Sequence, residues 1–208
     1  MKKIILASGS PRRHYLLNMI GLQHEVIPSN VDEVFSSELL PWQVTEFLAE
    51  SKACDVFYQH GEAIVIAADT IVVLDGVILN KPSDESEAFS MLSSLSGRSH
   101  TVITGVAIVY MDSDSDQLKK SVFNVSTQVT FATLSDEEII AYIATGSPMD
   151  KAGAYGIQDD MGCLFISKIE GDYYNVVGLP IQMLYKHLKN ELPEVASSLM
   201  QINNRVIL

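Results

Sequence analysis

The chain has 208 residues, with 26 Asp and Glu against 14 Lys and Arg and a formal net charge of −12. That imbalance excludes general nucleic-acid binding and attraction to anionic lipid headgroups, because both need surplus Lys and Arg to neutralise phosphates. At 47% hydrophobic and 19% charged, the composition excludes disorder and supplies a core large enough for one domain or two lobes.

Lys3–Ala7 reads as a short strand ended by Ser8-Gly9-Ser10, after which Ser10 as N-cap, Pro11 and the spacing of Leu16, Leu17 and Ile20 predict a helix. The apolar run Ile4–Ala7 behind the basic pair is too short for a signal-peptide core, and no segment approaches the roughly 18–20 apolar residues of a membrane span. A cytoplasmic protein without a membrane partner is therefore expected. Residues 41–59 predict a second helix from the periodicity of Trp42, Phe47, Leu48, Val56 and Phe57. Ala63–Ala68 is a continuous apolar strand, buried on both faces, that empties into Asp69-Thr70. Ile71–Leu74 and Val77–Leu79 flank an Asp75-Gly76 turn and predict a hairpin.

A helix over about 84–95, closed by Gly97, precedes two long alternating strands at 99–111 and 119–133. Their connection, Asp112 to Asp116, holds three carboxylates but lacks the glycine and terminal Glu of a calcium loop, so it reads as a solvated hairpin tip. Ser135 with Glu138 forms a capping box for a helix to about Thr145, ended by Gly146 and Pro148. Met149–Gly162 reads as a loop, 163–169 as a strand and 180–190 as a last helix. We read residues 1–190 as a single two-lobed α/β domain and 191–208 as a C-terminal tail without assigned structure. Cys54 and Cys163 lack any metal or disulfide spacing and are expected to be buried reduced thiols.

Cation placement is more informative than cation number. No Lys or Arg lies between His14 and Ser51, and only Lys81 lies between Ala53 and Gly97. Arg12, Arg13, Lys81, Arg98 and Lys151 fall beside loop signals, while Lys52 sits within a predicted helix. SGSPRR joins small residues, a helix N-terminus and two guanidinium groups, the parts of a phosphate cradle, although a capped helix with two surface arginines has the same pattern. Asp69, at the carboxyl end of a buried strand, stands where open α/β sheets place ligands; a turn-forming Asp is the alternative. Glu33, in a loop, reads alone as solvated surface, but with Asp69 it could hold a divalent cation through oxygen ligands. His100 at a strand start is a tempting base, but a histidine at a strand start is more often structural. The run Gly153–Gly156 offers an aromatic face in Tyr155 and is followed by the amide of Gln158, suited to a nucleobase, or else forms a tight turn. No GxxxxGK[ST], GxSxG or HExxH occurs.

LASGSPRR, AADTIV, LNKP, LSGRSHTVITG, PMDKAGAYGIQ and KIEGDYYNVVGLP, in that order, resemble the Maf family of nucleoside triphosphate pyrophosphatases, historically called septum formation proteins. The resemblance implies a curved mixed α/β sheet with two lobes and a central cleft, distantly like the inosine triphosphate pyrophosphatases. It also implies hydrolysis of a nucleoside triphosphate to monophosphate and pyrophosphate with Mg²⁺ or Mn²⁺. SPRR, ADT and KAGAYGIQ resemble the dTTP/UTP branch; the branch acting on 7-methyl-GTP instead carries SPWRR, a Gln after the Asp and a CAGSFKSEG-like loop. By resemblance Asp69 is the proton acceptor, and Arg12, Thr70 and Gln158 are tied to substrate choice. Ser8, Arg12, Arg13, Lys52 and Lys81 then bind phosphate, and Glu33 with Asp69 holds the metal. A homodimer is a further family-level expectation. The alternative from another class is a nucleotide-binding regulator of septum formation whose pocket does not turn over its ligand. The 112–116 loop and the tail depart from the family pattern.

Overall fold

The computed structural model describes residues 2–113, 115–158 and 161–200. One mixed sheet organises it, with strands β1 (Ile4–Leu6), β2 (Glu25–Val26), β3 (Ile64–Leu74), β4 (Val77–Leu79), β5 (Ser99–Met111), β6 (Leu118–Phe131) and β7 (Ile166–Glu170). Their order is β2-β1-β3-β5-β6-β7, with β4 also on β3. The helices are α1 (Pro11–Met19), α2 (Pro41–His60), α3 (Glu85–Leu95), α4 (Asp136–Ile143), α5 (Tyr173–Val177), α6 (Ile181–Glu191) and α7 (Pro193–Met200). The mixed α/β class expected from the sequence is the one observed.

β3 is the strand on which everything depends. Along one edge it pairs antiparallel with β5 from Val65 to Val73. Along the other it pairs parallel with β1 over Ile64–Ile66 and antiparallel with β4 over Val72–Leu74. Between those two partners neither strand pairs with Ala67–Ile71. The expectation that the strand ends at Ala68 is corrected: Asp69 and Thr70 lie inside β3, not at its carboxyl end. Asp is a poor strand residue by propensity, but Gly105 and Thr104 of β5 face Asp69 and Thr70 in register and carry the ladder through.

Side chains alternate across a strand, so Asp69 and Thr70 point to opposite faces. On the Asp69 face α2 lies against Ala63, Val65, Ala67 and Ala107 through its own Ala49, Ala53 and Val56. The buried stripe of α2 is Val44, Thr45, Leu48, Ala49, Ala53, Val56 and Phe57, whereas Trp42 and Phe47, which the sequence pattern counts into the helix face, are 41% and 46% exposed. Small residues win that face because the helix approaches the sheet closely. A Cβ on Gly105 would stand 2.3 Å from the Thr45 carbonyl carbon, so only glycine lets α2 settle there. On the Thr70 face, α1 and α6 cover Ile64, Ile66 and Ala68 through Leu16, Leu17, Leu184 and Leu188.

Other corrections are local. The strand expected at 163–169 begins as a 3-10 turn, Gly162–Phe165, before β7. That turn leaves Cys163 exposed, while Cys54 is half-buried, so neither cysteine is a buried core thiol. β2 and α5 carry no sequence signal, being two and five residues long. The tail is helical as far as Met200, and α7 buries Val195 and Ala196 against the α6 side of the core; residues 201–208, like Asp114 of the hairpin tip, lie outside the described residues. The Asp75-Gly76 turn and the Gly97 stop form with positive φ at all three residues, and Ser135 and Glu138 form the expected capping box.

Candidate active site

Ala67–Ile71, which pairs with β5 but has no partner from β1 or β4 on its other edge, opens into a cleft of about 580 Å³ that reaches both faces of the strand. Ser8, Arg12, Arg13, Glu33, Lys52, Asp69, Thr70 and Lys81 all line it. On one side Lys52, from the middle of α2, places Nζ 2.6 Å from Glu33 Oε1 and 2.6 Å from Asp69 Oδ1. Lys52 and Asp69 are largely buried, with side chains 13% and 11% exposed, while Glu33 is open to solvent at 53%. Burial pushes the Glu33 carboxyl up, but the hydrogen bond and charge of Lys52, with Lys81 and Arg13 beyond, outweigh it and hold the pKa below the ordinary glutamate value.

On the other side the loop after β1 feeds α1. Ser10 is the N-cap but makes no side-chain cap bond, so the first-turn amides of α1 keep their capacity for an anion. Arg13 is fixed on three sides: Nε donates to the Gly178 carbonyl at 2.8 Å, Nη1 to Ser8 Oγ at 3.1 Å and Nη2 to Thr70 Oγ1 at 3.0 Å. Desolvation by burial lowers its pKa, opposed by the charge of Asp69. Gly178 adopts φ +121°, and its missing side chain leaves room beside Thr70 Oγ1 and Arg13 Nε. Arg12 Nη1 stands 3.8 Å from Asp150 Oδ2.

Sequence reasoning did not assign Lys151 or Asp150 to the site, and both line the cleft, with Lys151 Nζ bonded to Asp150 Oδ1 at 2.7 Å and to the Ser147 carbonyl at 2.5 Å. Five cations thus face three carboxylates in the cleft of a protein whose net charge is −12. Thr104 and Asn175, which support Thr70 from below, were also missed; both sit within motif stretches but look like ordinary strand and helix residues.

Packing decides two readings that the sequence left open. Tyr155 does not offer a stacking face: its ring is 6% exposed, packs edge-on to Phe131 and His100, and its hydroxyl bonds His100 Nε2 at 2.7 Å. His100 takes the structural role favoured for it: it is a core residue, 2% exposed, whose burial lowers its pKa to about 4. Gln158 is exposed and lies one residue beyond Ile157, the last cleft-lining residue of its loop. Arg98 pairs instead with Asp75 at 2.5 Å on the surface.

Glu33 and Asp69 suit a divalent cation in part. Among the described residues no group of three or more His, Cys, Asp or Glu could hold a metal, yet two carboxylate oxygens already share one cation, the Lys52 ammonium. Two hard-oxygen ligands completed by substrate phosphates are the usual provision for Mg²⁺.

A mixed sheet with a cationic cleft of about 580 Å³, placed where the middle of its central strand pairs on one edge only, has the make-up of a small-anion site. The Maf-like protein family model matches residues 3–191, and the chain belongs to that family. It is 49% identical over 189 residues to a dTTP/UTP pyrophosphatase of Bacillus cereus strain ATCC 10987 / NRS 248, covering 91% of this chain and 90% of the relative. A dTTP/UTP pyrophosphatase of Caldicellulosiruptor saccharolyticus is 47% identical, with 88% and 92% covered. Among solved structures, a HAM1 protein from Coxiella burnetii aligns with 64% of this chain and 75% of its own at 17% identity and a TM-score of 0.45. Among the described residues no helix is long and apolar enough to cross a membrane.

Proposed function

We propose that this protein hydrolyses dTTP and UTP to the monophosphate and pyrophosphate, acting on free nucleotide in the cytoplasm. The observation that carries the reading is the cleft itself: five cations and a carboxylate pair gathered at the gap along one edge of β3, in a chain about half identical to relatives that bear that activity in their name. Arg12, Arg13 and Lys81 spread positive charge over the triphosphate, and the uncapped start of α1 adds its amides. Lys52 anchors Asp69 through Oδ1, which aims the carboxylate; its other oxygen takes a proton from the attacking water. The water oxygen bonds the α-phosphorus, the bond from that phosphorus to the bridging oxygen breaks, and pyrophosphate departs. Most of the rate comes from positioning and from charge placed where it develops. Glu33 and Asp69 would hold Mg²⁺ or Mn²⁺, which when bound supplies Lewis-acid charge to the phosphate oxygens.

The test is a nucleotide panel with the purified chain and Mg²⁺ or Mn²⁺, measuring pyrophosphate and single phosphate separately. Pyrophosphate from dTTP and UTP is the expected result. Single phosphate would indicate a phosphatase, and binding without turnover a regulator; either outcome overturns the reading.

A further inference from the structure

On the Thr70 face one hydrogen-bonded chain runs from the cleft into the core. Arg13 Nη2 donates to Thr70 Oγ1 at 3.0 Å, the Thr70 and Thr104 hydroxyls are 2.9 Å apart, and Thr104 Oγ1 donates to the Asn175 carbonyl at 3.0 Å. Thr104 and Asn175 are fully buried. Asn175 is fixed in turn, its Nδ2 donating to the Val102 carbonyl at 3.0 Å and to Thr127 Oγ1 at 2.9 Å.

A hydroxyl carries one proton and two lone pairs. Thr104 gives its proton to Asn175, so the proton between the two threonines belongs to Thr70. Electrostatics select the same direction. Both O–H groups then point away from the Arg13 guanidinium, head to tail, the arrangement in which successive hydrogen bonds polarise one another. Thr70 therefore donates inward and accepts from Arg13, and one lone pair is left for an occupant of the cleft. It has no proton to offer. A phosphate oxygen, itself an acceptor, finds no partner there, whereas an N–H or O–H group does.

We propose that Thr104 and Asn175 are positioning residues that lock Thr70 as a hydrogen-bond acceptor toward the cleft, where it accepts from the imide N3–H of a uracil or thymine base. The base assignment rests on the dTTP and UTP reading above. Uracil and thymine share an N–H at position 3, where cytosine carries a bare acceptor nitrogen. Two acceptors facing each other leave both unpaired, which penalises cytosine. Discrimination between the bases then originates in buried residues that never touch the nucleotide.

The experiment measures kcat/KM for UTP, CTP, 3-methyl-UTP and 3′-deoxy-UTP on the full chain, in the wild type, Thr104→Val and Thr104→Ser. The wild type is expected to prefer UTP over CTP, to use 3-methyl-UTP about 10²-fold less well than UTP, and to keep most of its efficiency on 3′-deoxy-UTP. In Thr104→Val the inward acceptor is gone and the Thr70 proton swings to the cleft. The UTP-over-CTP ratio then falls about tenfold or more, and Thr104→Ser restores it. A purely structural role would lower UTP and CTP turnover together and leave the ratio unchanged. An unchanged ratio in a folded Thr104→Val overturns the proposal. So does a wild type that handles 3-methyl-UTP like UTP, a comparison that does not depend on any variant folding; loss on 3′-deoxy-UTP instead would assign the acceptor to a sugar hydroxyl. A wild type inactive on both dTTP and UTP would overturn the activity reading and the base assignment with it. A wild type that prefers UTP while Thr104→Val keeps that preference overturns this proposal alone.

Discussion

The two faces of β3 meet the same cleft with opposite designs. Next to Asp69 everything is ionic and exchangeable: one ammonium bridges two carboxylates, and Glu33 reaches solvent. Next to Thr70 a single guanidinium is held by two hydroxyls and a carbonyl, and neutral buried groups support those in turn. Ion pairs can trade partners when a phosphate or metal arrives, because each loss is offset by a new charge. A guanidinium held by three directed bonds to neutral groups has no such alternative, since each bond left unmade there costs the desolvation of its partner. The Asp69 face is thus suited to chemistry that rearranges, and the Thr70 face to recognition that stays fixed.

The largest expected effect comes from removing charge on the rearranging face. Asp69→Asn keeps the shape of the side chain but cannot take a proton, and kcat on dTTP and UTP should fall about 10²-fold or more. Chemical denaturation should find the fold retained, and full activity would remove Asp69 from the chemistry. Gly105→Ala tests whether close approach of α2 is what delivers Lys52 to Asp69. Its Cβ would meet the Thr45 backbone at 2.3 Å, so the helix must move, and a loss of about 3 kcal/mol in unfolding free energy is expected, together with weaker turnover. A neutral Gly105→Ala would mean that α2 is not seated by that contact.

The legible parts of this molecule are those with local signals. Long strands announce themselves by β-branched alternation, and 99–111 is matched to the residue by β5. The cation-bearing loops are equally readable, because Lys and Arg are scarce elsewhere. What could not be read was the gap between β1 and β4 along one edge of β3. Asp69-Thr70 looked like a strand end, because whether a strand continues depends on its partners, and Gly105 and Thr104 lie 36 and 34 positions away in the chain. Tyr155 stays open in the sequence for a similar reason. An aromatic beside two glycines looks available, and only packing against Phe131 and His100 shows that it is not.

That buried cluster lies on the Thr70 face and supplies a pH test of its dryness. Burial lowers the His100 imidazole to about 4, against about 6.5 in the unfolded chain. Between those pH values the unfolded chain binds a proton that the folded chain does not, so stability rises with pH there. The contribution is fully present above about pH 6.5 and is lost as pH falls toward 4. At pH 5 the loss amounts to about 2 kcal/mol, or roughly 5 °C in Tm for a chain of this size. His100→Gln should narrow the gap between Tm at pH 7.5 and pH 5 by about that amount, and an unchanged gap would mean that His100 is solvated in the folded state.

The smallest effect expected is the one that isolates geometry from charge. Arg13→Lys keeps the positive charge but replaces a planar fork by a point, and one ammonium cannot reach the Gly178 carbonyl, Ser8 Oγ and Thr70 Oγ1 in their present directions. If the Thr70 face serves recognition, KM for dTTP and UTP should rise about tenfold while kcat falls much less, since uniform binding is lost and the proton acceptor is untouched. The ion-pair face makes the opposite forecast for its own lysine. Lys52 already works as a shared point charge between two oxygens, so its removal should fall mainly on kcat. Steady-state kinetics on the two variants side by side decide the matter: a drop in kcat for Arg13→Lys as deep as that for Lys52→Ala would erase the division of labour between the two faces.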